Sequence, residues 1–181
     1  MTKRLTPFAA GLAFAVLATA AQAQTADFTA MFDGVEACRI NAAHDAFWRS
    51  LGERYGNSFG TKTARDDASV VLRKPASLAA AIGPARPKNL GEYTDVVVPL
   101  SGVYKGLPLR SVDYSFGNEN GIWVVTLRFA APRAEVARAF GKAVAAGERA
   151  GKRAMRSDDS VGFSVEIPKG ADGAIVCNRS N

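Results

Sequence analysis

The sequence predicts an α+β fold: a mainly antiparallel sheet of about five or six strands, two amphipathic helices packed on one face, and one disulfide. Three observations carry this reading. The run from Leu107 to Gly147 is patterned as strand, tight turn, strand and helix. A second apolar arc at helical spacing lies between Ile40 and Tyr55. The chain of 181 residues holds two cysteines, Cys38 and Cys177, behind a segment that reads as an export leader.

That leader opens the chain. Lys3 and Arg4 supply a positive start, Phe8 to Ala21 is apolar, and Ala21-Gln22-Ala23 places small residues where a signal peptidase reads them. The pattern predicts a signal peptide over residues 1–23, cleaved after Ala23, and a periplasmic or secreted protein. The apolar run is shorter than the ~18 residues of a spanning helix, and the mature chain shows no transmembrane segment. Residues 24–181 then form a single domain. In an oxidising compartment two cysteines and no third favour one structural bridge, Cys38–Cys177.

Asn41 suits the N-cap of a helix running to about Tyr55, with Gly56 past its end. Ile40, Ala43, His44, Phe47, Trp48, Leu51 and Tyr55 share one broad arc. His44, the only histidine, falls inside that arc and reads as a buried residue with one hydrogen-bond partner. Residues 56–68 read as a loop, Ser69 to Lys74 as a first strand stopped by Pro75, and Ala76 to Ile82 as a helical turn. Gly83 to Gly91 is punctuated by proline and glycine and reads as a loop. Tyr93 to Leu100 reads as a strand whose Pro99 suggests an edge or an end.

Ser101 to Gly106 is then a connection, with Tyr104 and Lys105 at a possible recognition tip. In the arm Leu109 to Phe116, the set Arg110, Val112, Tyr114 and Phe116 carries the apolar bulk at period 2. In the arm Ile122 to Phe129, Trp123, Val125, Leu127 and Phe129 face one side. Gly117 to Gly121 joins the arms, with Asn120-Gly121 the best turn candidate. Asn118, Glu119 and Asn120 are therefore candidate binding residues on a protruding turn.

Pro132 suits the first position of a helix. Val136, Phe140, Ala143, Val144 and Gly147 make its apolar arc, and Arg138, Lys142, Arg149, Lys152 and Arg153 fall roughly opposite. Gly141, Gly147 and Gly151 each weaken a helix by up to ~1 kcal/mol relative to Ala, which predicts fraying beyond Gly147. Val161, Phe163, Val165 and Ile167 alternate as a strand ended by Pro168, and Ala174 to Cys177 completes a terminal hairpin.

The formal net charge is +6. Segment 131–156 alone has seven Lys/Arg against two acids, a net of +5, so the basic character is local. Arg138 and Lys142 head a basic face suited to an acidic partner or an anionic envelope surface. Export makes nucleic acid an improbable partner. The sequence carries no phosphate-binding glycine loop, Gly-x-Ser-x-Gly elbow, His-Glu-x-x-His helix or Cys-x-x-Cys. One imidazole cannot build a multi-histidine zinc site, so no metal or cofactor is expected. The adjacent acids Asp66, Asp67, Asp158 and Asp159 read as solvated loop residues.

These features point to a small exported, non-catalytic binding protein with a protein partner in the cell envelope. An inhibitor or immunity-type protein acting on an envelope hydrolase is the favoured form. An envelope structural or assembly factor using the basic helix face is the alternative, followed by a small hydrolase.

Overall fold

The computed structural model describes residues 25–57, 60–119, 121–156 and 162–180. The expected leader, Asn120, Asp158, Asp159 and Val161 lie outside the described residues. The fold is α+β. Strands β1 (Ala26–Asp27), β2 (Arg86–Asn89), β3 (Tyr93–Tyr104), β4 (Leu107–Gly117), β5 (Trp123–Pro132), β6 (Ser164–Glu166) and β7 (Asp172–Asn178) form one sheet. Its order is β1-β3-β4-β5-β7-β6, with β2 also on β3. All pairs are antiparallel except the two-residue β1–β3 contact. Helices α1 (Thr29–Phe32), α2 (Ala42–Tyr55) and α3 (Arg133–Ala154) complete the fold with two 3-10 turns, Val35–Ala37 and Ala76–Ala81.

The hairpins set the core. Across β4 and β5, Leu109 faces Phe129, Val112 faces Leu127 and Tyr114 faces Val125, and all six are buried. α2 lies on this face through His44 and Phe47 against Tyr114. α3 lies on it through Phe140, whose ring centroid is 5.5 Å from those of Phe129 and Tyr104. Burying a Phe or Leu side chain here contributes about 1.5–3 kcal/mol. The opposite face is polar: Ser115 Oγ donates to Asp95 at 2.6 Å, and Arg128 pairs with Asp113.

Several local expectations change. Ser69 to Lys74 is not a strand. It runs beside α2, where Arg73 N donates to Ser50 Oγ at 3.0 Å and Arg54 donates to Val70 O at 3.2 Å. The expected loop 83–91 contains β2, and its Pro87 is tolerated because β2 is an edge strand with an unpaired side. Arg110 is exposed while Leu109 and Ser111 are buried. The β4–β5 register shifts between Leu109 and Ser111, and such a bulge reverses the alternation on which the sequence reading depended.

α3 does not fray at Gly147; it continues to Ala154. A Cβ on Gly147 would lie 2.8 Å from Ala37 Cα, and one on Gly151 would lie 2.0 Å from the Phe163 carbonyl oxygen. These glycines let the helix touch the backbone of neighbouring segments, and that packing outweighs their low propensity. Cys38 and Cys177 are disulfide-bonded with Cα atoms 5.1 Å apart, tying the segment before α2 to β7.

Candidate functional site

The site begins with the two sides of α2. Asn41 caps the helix by accepting from His44 N at 3.0 Å, which fixes its phase. His44, Phe47, Leu51 and Tyr55 turn to the core. Asp45, Trp48, Arg49, Gly52, Glu53 and Gly56 follow the 3–4-residue spacing of a second face and line an open cleft of about 660 Å³. The opposite wall is the turn end of the β4–β5 hairpin: Phe116, Gly117, Gly121, Ile122 and Trp123.

An aromatic cluster forms the base. Trp48 stacks on Phe116 with centroids 5.9 Å apart, and Trp123 meets Trp48 edge-on at 5.0 Å. Gly52 permits this approach, since a Cβ there would lie 3.1 Å from Phe116 Cε1. Both tryptophans of the chain therefore line one cleft. The buried Trp48 Nε1–H has no acceptor among the described residues.

Cations crown the indoles. Arg49 lies over Trp48 at 5.8 Å and is paired with Asp45 at 2.7 Å. Arg179 lies over Trp123 at 5.7 Å. The tail after β7 holds it there: Arg179 N donates to Trp123 O at 2.9 Å, and Trp123 N donates to Ser180 Oγ at 3.0 Å. Glu53 is engaged by Arg73 at 2.9 Å. Arg179 has no carboxylate partner among the described residues, so it is the cleft's uncommitted charge. Chemically, the cleft offers flat apolar surface beside a cation able to grip a carboxylate.

The sequence-derived candidates are scattered. Tyr104 is not a surface tip. It is fully buried, and its hydroxyl donates to the Glu36 carboxylate. Burial and then that hydrogen bond push its phenol above the ordinary range. The expected loop contracts to a two-residue turn in which Lys105 and Gly106 both have positive φ, 47° and 83°, so β3 runs on through Tyr104. Lys105 binds Asp33 at 2.8 Å and Glu36 at 2.6 Å. Burial raises the Glu36 carboxyl, but hydrogen bonds from Lys105 and Tyr104 outweigh it and hold it below the usual range.

Asn118 is buried rather than protruding: its Nδ2 donates to Gly91 O at 2.8 Å and its Oδ1 accepts from Thr94 Oγ1 at 3.2 Å. It clips the turn to the preceding loop. Glu119 is exposed near the cleft's Gly117 and Gly121. Arg138 and Lys142 are exposed on α3, away from the cleft lining. His44 is buried against Phe32 and Tyr114, and among the described residues neither ring nitrogen has the single partner the sequence suggested. No group of three or more metal-binding side chains occurs among the described residues.

No protein-family model, curated protein or solved structure matches the chain.

Sequence reading missed the cleft. It assigned Trp48 to the core arc of α2 and Trp123 to one face of β5 with Val125, Leu127 and Phe129. Both do pack against the core, but Trp123 stands at the first residue of β5 and Trp48 is only partly buried on α2. The only available signal was that two tryptophans lie beside glycines, at Gly52 and Gly121.

Proposed function

We propose that the chain is an exported, non-catalytic binding protein whose partner inserts an apolar side chain flanked by a carboxylate into the Trp48–Trp123 cleft. The observation that carries this reading is the convergence of both tryptophans with Arg49 and Arg179 in one concave patch. Trp and Arg are the residues most enriched where protein interfaces concentrate their binding energy, and the cleft volume falls within the ~300–1,000 Å³ of ordinary recognition pockets. Arg179 supplies the charge complementarity that selects an acidic flank.

The leader-like residues 1–23 and the Cys38–Cys177 bridge support export, because disulfides persist in oxidising compartments. An inhibitor or immunity-type role toward an envelope hydrolase is the form we favour; that narrower step rests on class analogy. A hydrolytic reading gains no support from His44, which packs against rings rather than a nucleophile or carboxylate.

The test uses N-acetylphenylalanine, an aromatic ring with a carboxylate, and its neutral amide. With both tryptophans in the cleft, intrinsic fluorescence reports occupancy directly. The expected result is a saturable change with the carboxylate, weakened roughly tenfold for the amide and for Arg179→Ala. An equal, non-saturating response to both compounds would overturn the reading.

A further inference from the structure

We propose that the outer face of α3 docks on an anionic phospholipid surface. At 100° per residue, Arg138, Lys142, Arg149 and Arg153 fall within about 60° of arc, and Arg156 follows just past the helix end. All five are exposed, and none forms an ion pair among the described residues. At 1.5 Å per residue the stripe from Arg138 to Arg153 extends about 22 Å along α3. The helix is anchored from behind by Val136, Phe140, Val144, Gly147 and Gly151, so the cations stand on a packed support.

Charge alone would fit many anions; the side-chain chemistry narrows the choice. Four of the five cations are arginines, whose planar forks match phosphate oxygens in pairs. The flanking Lys152 is engaged by Glu148 at 2.6 Å and stands outside the count. Compensation of the helix dipole does not account for the stripe. That effect is confined to the last turn, whereas Arg138, Lys142 and Arg149 lie above it. A one-sided row of phosphate-gripping groups, with Glu135 as the acid in its arc, matches a planar array of headgroups. It is independent of the cleft, whose lining contains none of these residues.

Each cation near an anionic bilayer surface raises partitioning roughly fivefold. The exported protein, its N-terminus fixed by mass spectrometry, is sedimented with vesicles of phosphatidylcholine alone or with 30% phosphatidylglycerol. Partitioning should be strong only on the anionic vesicles and fall steeply between 0.1 and 0.5 M salt. Arg149→Glu/Arg153→Glu should reduce it roughly 25-fold or more with an unchanged circular dichroism spectrum, while Lys152→Glu should reduce it far less. Equal binding to both vesicle types, indifference to the double reversal, or tighter capture by soluble polyglutamate than by the anionic vesicles would overturn the proposal. If the double variant fails to fold, Arg149→Gln/Arg153→Gln replaces it, and undiminished anionic binding by that variant counts against the proposal equally.

Discussion

His44 shows how one residue links burial to acid sensitivity. Its ring stands edge-on to Phe32 at 5.0 Å and beside Tyr114 at 5.7 Å. Burial lowers its pKa from the ordinary 6.5 to about 4, against a weaker upward pull from Asp45. The folded state therefore refuses a proton that the unfolded state accepts. Stability is complete above about pH 6.5 and declines as the pH falls toward 4, below which this residue adds no further slope. The shift corresponds to about 3 kcal/mol across that window. His44→Leu should flatten that part of the profile when unfolding free energies are measured by urea titration at pH 7, 5.5 and 4.5. A slope unchanged by the substitution would mean that other groups set the acid response. The location of His44 was legible from its place in the apolar arc. Its lack of a partner among the described residues was not, because hydrogen bonding depends on what the sheet brings opposite, and β4 brings the Tyr114 ring.

At the scale of elements, the three glycines of α3 look alike in sequence and differ in space. Nothing stands within 4 Å of a Cβ built on Gly141, whereas Gly151 would drive one to 2.0 Å from the Phe163 carbonyl. Gly141→Ala should therefore stabilise by about 0.5–1 kcal/mol through helix propensity. Gly151→Ala should destabilise by about 1–3 kcal/mol through overpacking. Thermal melts of the two variants should move in opposite directions; parallel shifts would refute close packing at the helix end. Long patterned elements were legible: the capped α2, the arms of β4 and β5, and the apolar face of α3 follow periodicity. What periodicity could not supply was the bulge that exposes Arg110, the left-handed Lys105–Gly106 turn, and β2, which exists because β3 offers it an edge. Tyr104 was misplaced for the same reason. Its neighbours read as a loop, while Glu36 and Phe140, remote in sequence, make it core.

For the whole molecule, the disulfide and the cleft are linked through β7. Cys177 pairs with Val125 in the ladder, and two residues later Arg179 is fixed over Trp123. The bridge spans a sequence separation of 139 residues, for which the chain-entropy account gives about 5 kcal/mol. The Cys38→Ser/Cys177→Ser double variant should melt well below the parent by calorimetry, and an unchanged melting temperature would make the bridge dispensable. The fold class and the bridge could be read from the chain in advance because they rest on patterning and cysteine number. The cleft could not, since it joins α2, a hairpin end and the C-terminal tail, which only the assembled sheet brings together. We propose this junction as the recognition site. The most direct measurement is an amide and indole nitrogen–proton NMR titration with N-acetylphenylalanine, in which two tryptophans give two indole signals. Both indole signals and the Arg179 amide are expected to shift together and saturate, while the amides of Arg138 and Lys142 stay in place. Saturable shifts centred elsewhere, with the two indole signals unmoved, would contradict it.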